Sequence, residues 1–246
     1  MTKTILSDAY INVIIFTLAL LPTLIDKTPK KWKPLLTLLF IFLINESLLS
    51  LGSSWESDSF PNLSYNWLGK LLSLLFLSGY MLLFHKKDIP TLGIRLPRLS
   101  PAQLKTLLIL SAGLLLFKLL PNILQSDKEA VTTERFLYEA TLPGLAEEFA
   151  FRGVYLFLFL RHHPTSFKTP FSFTNDIYFL GVLFAFSHSL YLNNPSGLHF
   201  DMPYFFSTFI SAYFYMVILR CSGSLLIPIL LHNVVNIGIT VTQYLK

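Results

Sequence analysis

Cysteine is nearly absent: Cys221 stands alone in 246 residues, so the chain can form neither an internal disulfide nor a thiolate metal cluster. Charge is scarce too. Asp, Glu, Lys and Arg together make up 13% of the residues, about half the share of a typical soluble domain, which excludes an ordinary soluble enzyme. Apolar residues take their place: 53% of the chain is hydrophobic and 23 residues are Phe, with a mean hydropathy of +0.57. One globular core cannot hide that much apolar surface, because a domain of this length leaves about a quarter to a third of its chain surface exposed. Lipid is the remaining sink. Disorder is excluded by the same numbers, since it needs low hydrophobicity and high net charge. The net charge of +5 does not point to nucleic acid as a partner. The positive residues sit between apolar runs, as membrane topology requires, and form no single basic face. The sequence contains no internal repeat.

Apolar stretches of about 17 to 25 residues, the helix length that crosses a ~30 Å hydrocarbon layer, run from Tyr10 to Ile25, Leu35 to Leu51, Trp67 to Phe84, Leu104 to Leu120, Leu142 to Leu160, Ile177 to Leu192, Met202 to Leu219 and Leu225 to Leu245. The expected fold class is all-α, a polytopic membrane protein of about eight transmembrane helices, because lipid leaves no partner for an unpaired backbone group. The chain reads as a single integral-membrane domain over 1–246. Within it, 1–140 supplies four helices and an interfacial segment, amphipathic from Ala130 to Ala140, and 141–246 supplies the helices with the chemistry. The first span follows Asp8 and lacks a small-residue cleavage site, so it reads as a retained helix. Only Asn193 to Gly197 and its neighbours separate the sixth and seventh spans. Lysines and arginines fall about twice as often on the connections after the first, third, fifth and seventh spans, which the positive-inside rule makes cytoplasmic.

A charge inside an apolar span is costly and normally faces the bundle interior with a partner and a function. The fifth span carries Glu147, Glu148 and Arg152 within six residues. On a helix Glu148 and Arg152 share a face and can pair, whereas Glu147 is rotated by about 100° and is left available. The sixth span adds His188, and the eighth adds His232 and Asn236, again four apart on one face. Each histidine alone is readily explained as a hydrogen-bonded core residue. Together with an intramembrane carboxylate they suggest acid–base chemistry: Glu147 and His188 could deprotonate a water, and His232 and Asn236 could donate to a developing oxyanion.

The run Glu147-Glu148-x-x-x-Arg152, the pair Phe184-x-x-x-His188 and the pair His232-x-x-x-Asn236 resemble, in order and spacing, the three motifs of the CAAX-protease and bacteriocin-processing family of intramembrane endopeptidases, also called the Abi family. The resemblance covers about Thr141 to Lys246, and the short stretch Leu92-Gly93-Ile94-Arg95 is similar to a segment common in that family. It implies a hydrolase with a conical intramembrane catalytic cavity that cleaves a peptide bond without a covalent intermediate. Glu147 and His188 would activate water, His232 and Asn236 would form the oxyanion hole, and Glu148 with Arg152 would support them. No cofactor is implied. The implied partners are membrane lipid and a peptide or protein substrate with a membrane-embedded or C-terminal segment, and the implied setting is a bacterial or archaeal cell membrane.

Two other readings stay open on the residues themselves. Glu147, His188 and His232 have the donor types of a His2Glu zinc hydrolase, although no His-Glu-x-x-His run is present. A non-proteolytic transport or immunity protein could also use Glu147 to carry protons. His162 and His163, beside Arg161, read as part of a solvated cytoplasmic loop in preference to a metal site, and His199 lies where it could assist substrate access.

Overall fold

The computed structural model describes residues 2–25, 30–124, 131–193 and 197–245. Their order is α1 (Thr2–Ile25), α2 (Trp32–Ser59), α3 (Trp67–Phe84), a 3-10 segment (Lys86–Leu92), α4 (Pro101–Leu124), α5 (Thr133–Glu148), a π-helical segment (Phe149–Tyr155), α6 (Leu156–His162), α7 (Asn175–Ser189), β1 (Leu190–Asn193), β2 (Gly197–Phe200), α8 (Met202–Ser222) and α9 (Leu226–Tyr244). By length and composition, α2, α3, α4, α8 and α9 can each cross a membrane. Large apolar side chains are exposed along their outer faces, among them Leu36, Phe40 and Ile44 on α2, Leu71, Leu75 and Leu82 on α3, and Leu104, Leu108 and Leu116 on α4. Such a surface is stable against lipid and not against water. The chain is an all-α integral membrane protein.

The centre of the bundle is α7, a helix apolar on nearly every side, as expected of one buried all round. Ile177, Phe179, Leu180, Leu183 and Phe184 are buried there against Ile15 and Phe16 of α1, Phe42 of α2 and the π-helical segment. A second cluster joins Leu107 and Leu114 of α4 to Tyr215 and Ile218 of α8 and Leu231 and Val235 of α9.

The α2–α3 hairpin closes tightly. Gly52 and Gly69 meet backbone to backbone, where a Cβ on Gly52 would overlap Gly69. Asn66 caps α3, accepting from Gly69 N at 2.9 Å and donating to Leu49 O at 3.0 Å. Glu56 Oε2 accepts from Leu68 N at 3.1 Å. These bonds fix the first turn of α3, and with it Lys70.

Several expected boundaries shift. The fifth span is no isolated stretch from Leu142: α5, the π-helical segment and α6 run without a break from Thr133 to His162, absorbing the amphipathic segment whose first residue, Ala130, lies outside the described residues. The sixth span does not continue to Leu192. Its helix stops at Ser189 and enters an antiparallel hairpin pairing Leu190 with Phe200 and Asn193 with Gly197; Asn194, Pro195 and Ser196 of the expected turn lie outside the described residues. The β-branch-poor run Leu190-Tyr191-Leu192 is apolar enough to extend a helix, but the bonds of the hairpin and the cap on α8, where Asp201 Oδ1 accepts from Tyr204 N at 2.9 Å, end it.

Candidate active site

Glu147 and Glu148 are the last two residues of α5, and the seven residues after them wind as a π-helix and are all buried. Single π turns recur inside helices at functional sites. The Glu148 side chain is 0% exposed and sits between two donors: Arg152 Nη1 at 3.2 Å and His232 Nδ1 at 2.8 Å, both on Oε1. Arg152 Nη2 donates to Ala212 O of α8 at 3.2 Å, and its guanidinium lies over the rings of Phe184 and Tyr215 at 4.7 and 5.5 Å. The Tyr215 ring stacks on His232 at 5.1 Å. With Nδ1 committed to Glu148, His232 turns its Nε2 toward Glu147 Oε2 at 3.7 Å.

Glu147 is not the unpaired carboxylate expected from helical spacing. Lys70 Nζ donates to its Oε1 at 2.7 Å, across from α3. Its Oε2 faces His188 Nε2 at 3.4 Å. His188 Nδ1 lies 2.7 Å from Phe184 O; a carbonyl only accepts, so Nδ1 carries the proton and Nε2 is directed at the carboxylate. Two lone pairs facing each other would repel, so this gap suits one shared proton; it is too short for a water between the two atoms, but a water on the cavity side could contact both, as a general base needs.

Residue Asn233, unremarked in the sequence, holds α9 in place. Its Oδ1 accepts from Gly144 N at 2.9 Å and its Nδ2 donates to Thr141 O at 3.1 Å. Gly144 must lack a side chain, because a Cβ there would strike Asn233 and come within 2.7 Å of Ile229 O. His232, one residue earlier, is delivered to Glu148 by this contact. Asn236, one turn on, lines the same cavity as Glu147, and its side chain bonds Glu139.

The cavity measures about 880 Å³ and is walled by α3, α4, α5, α7, α8 and α9. Lys70, Glu147, His188, His232 and Asn236 reach it beside Tyr204, Phe117 and Ile239. A smaller cavity of about 120 Å³ lies on the other side of Glu147 and His188, bounded by Asn45, Glu46, Lys70, Ser73 and Ser187. The structure thus brings Glu147, Glu148, Arg152, His188 and His232 into one connected cluster. His199 pairs instead with the Tyr191 ring at 4.9 Å on the hairpin and does not line the large cavity. Among the described residues no group of three or more His, Cys, Asp or Glu has the arrangement of a metal site.

His162 and His163 are buried, contrary to the solvated loop expected of them: they are 0% and 2% exposed. His162 Nδ1 meets Lys31 O at 2.9 Å while Lys31 N donates to His162 O at 3.0 Å. His163 Nε2 lies 3.2 Å from Asn175 Nδ2. They tie the end of α6 to the chain entering α2 and to the start of α7.

A family model described as Type II CAAX prenyl endopeptidase Rce1-like matches residues 131–238. That stretch runs from the start of α5 into α9 and contains Glu147, Glu148, Arg152, His188, His232 and Asn236. No curated protein and no solved structure gives a significant match.

Proposed function

We propose that this chain, which belongs over residues 131–238 to the Rce1-like type II CAAX prenyl endopeptidase family, hydrolyses a peptide bond inside the membrane with Glu147 as general base. The family makes it a CAAX protease-type enzyme acting on a protein or peptide. The observation that carries the finer reading is the convergence of Glu147 Oε2 with His188 Nε2 at 3.4 Å and His232 Nε2 at 3.7 Å, from three helices, at the wall of an 880 Å³ cavity.

In this reading a water on the cavity side of Glu147 and His188 gives its proton to Glu147 as its oxygen attacks the carbonyl carbon. The proton then passes to the departing amine as the C–N bond breaks, and no bond to the enzyme forms. His232, oriented by Glu148 through Nδ1, donates through Nε2 to the oxyanion when both ring nitrogens carry protons. Asn236 contributes as well: an amide nitrogen has two N–H groups, and the bond to Glu139 uses only one. Such preorganised donors in a dry site supply a large share of catalysis.

We also propose that the bundle crosses the membrane about eight times, with α1, the Leu142 to Leu160 part of the long rod and α7 joining the five longer apolar helices as spans, and that the reaction needs no metal. The Lys70 ammonium already places a positive charge 2.7 Å from Glu147 Oε1. Incubating the purified protein with a proteome-derived peptide library and identifying new termini by mass spectrometry tests the reading. Cleavage by the wild type that is lost in Glu147→Ala and His188→Ala and survives exhaustive chelation supports it. Cleavage that chelation abolishes and zinc restores favours the zinc hydrolase, and peptide binding without cleavage favours a transport or immunity protein.

A further inference from the structure

The large cavity accounts for substrate, but the smaller one behind Glu147 has no role in that scheme, and two charged residues face it. Glu46 belongs to α2 and Lys70 to α3, helices outside the family-matched stretch. Both border the 120 Å³ cavity with Asn45 and Ser73, whose side chains bond each other at 2.6 Å. The cavity is polar-walled and large enough for several waters, which fill such spaces when polar partners line them.

We propose that Lys70, balanced by Glu46, is a positioning residue that clamps Glu147 for catalysis, and that the small cavity holds the waters from which the reacting one is drawn. Lys70 Nζ takes Oε1 at 2.7 Å and so leaves Oε2 alone to face His188. One carboxylate oxygen is anchored and the other is presented. In a low-dielectric site this anchoring charge is strong, and a bare ammonium in the bundle interior would need its own counter-charge; Glu147 supplies one at 2.7 Å, and Glu46 borders the same small cavity. The titratable groups that face Glu147 are Lys70 from α3, Glu46 from α2, Tyr138 and Glu139 from α5, His188 from α7, Tyr204 from α8 and His232 from α9. The hairpin contacts of Gly52, Gly69 and Asn66 hold the helix turn that carries it.

This proposal rests on Glu147 acting as the base, so its test includes an arm that needs no turnover. Lys70→Met, Lys70→Arg, Glu46→Gln and the double change Lys70→Met with Glu46→Gln are compared on the best library peptide, together with the thermal midpoint of each protein. Lys70→Met is expected to lower kcat by about 10- to 100-fold, less than the loss of the base itself, with KM within about twofold, because the Lys70 ammonium is engaged with Glu147 Oε1. Lys70→Arg keeps the charge and is expected to retain most of the kcat that Lys70→Met loses. Adding Glu46→Gln to Lys70→Met removes the stranded carboxylate, and is expected to recover the thermal midpoint and not kcat. Recovery of kcat along with the midpoint, or a wild-type kcat in Lys70→Met, overturns the clamp. In the second arm, infrared spectra of protein with isotope-labelled glutamate isolate Glu147 as the difference between wild type and Glu147→Gln. The ionised carboxylate band is expected in the wild type and the protonated carbonyl band in Lys70→Met at neutral pH. An unchanged Glu147 band in Lys70→Met also overturns the clamp. A wild type that cleaves nothing refutes proteolysis instead, and the infrared arm still decides the clamp.

Discussion

Glu148 holds the site together because one oxygen serves both Arg152 and His232. Removing Arg152 therefore strips a buried carboxylate of a cation but leaves it the imidazole at 2.8 Å. Arg152→Ala is expected to destabilise the protein by about 3 kcal/mol, the lower end for a broken buried pair. The double change Glu148→Gln with Arg152→Gln is expected to be the more stable of the two and still nearly inactive, because His232 exchanges a carboxylate partner for a weaker amide oxygen. Chemical unfolding in detergent checks the order, and a double variant no more stable than Arg152→Ala would remove the ion pair from the account. The pairing of Glu148 with Arg152 was legible from their four-residue spacing alone. The partner of Glu147 was not, since Lys70 is 77 positions away and stands at the start of the third span, where a lysine reads as a boundary charge. Even so, Glu46 and Lys70 met the rule that singled out Glu147: each is a charge within an apolar span.

At the scale of elements, the α5–α9 crossing sets the register of His232 through Gly144 and Asn233. Gly144→Ala is expected to cost about 1 to 3 kcal/mol, as overpacked sites do, and to lower activity with stability; a thermal midpoint equal to wild type would mean that the crossing is looser than described. The other end of the same rod carries a pH-sensitive contact. Burial pushes the His162 imidazole below the ordinary histidine value of 6.5, and nearby His163 adds to this against the Lys31 carbonyl, which favours the charged ring. The unfolded chain thus binds a proton at His162 more readily than the folded one, so this contribution is present above about pH 6.5 and is lost as pH falls through and below that value. Unfolding midpoints at about pH 7.5 and about pH 5.5 should differ for the wild type, and His162→Phe should flatten the difference; an equal slope in both would place the titration elsewhere. Burial of His162 could not be read from its neighbours Arg161 and Pro164, which look like loop. Nor could the π turn, since nothing in the run from Phe149 to Tyr155 distinguishes π from α winding.

The whole molecule has two unlike ends. Lys31, Lys33, Lys86, Lys87, Arg95, Arg98, Arg161, Lys168 and Arg220 lie on or beside the connections at one end, while the large cavity reaches the starts of α3, α5 and α8 and the later turns of α4, α7 and α9 at the other. Lys27, on the same connection as Lys31, lies outside the described residues. By the positive-inside rule the cavity is expected to face the extracytoplasmic side. Exposed Ser57 and Ser166 lie at opposite ends, so cysteines placed there in a Cys221→Ser background report on it in intact cells. A membrane-impermeant thiol reagent is expected to label Ser57→Cys and spare Ser166→Cys, and the reverse pattern would turn the protein over. Of the eight apolar spans expected, α2, α3, α4, α8 and α9 are long enough to cross a membrane, and these followed from hydropathy because lipid imposes length directly. The cavity did not, since it depends on how six helices meet. The measurement that bears most directly on the central claim is kcat/KM on one library peptide for the wild type, Glu147→Gln, His188→Ala and the double variant. Groups that act as one unit are non-additive, so each single change is expected to cost at least about 100-fold and the double no more than the worse single. Retention of more than about a tenth of activity by Glu147→Gln, or losses that multiply in the double variant, would contradict a water activated jointly by Glu147 and His188.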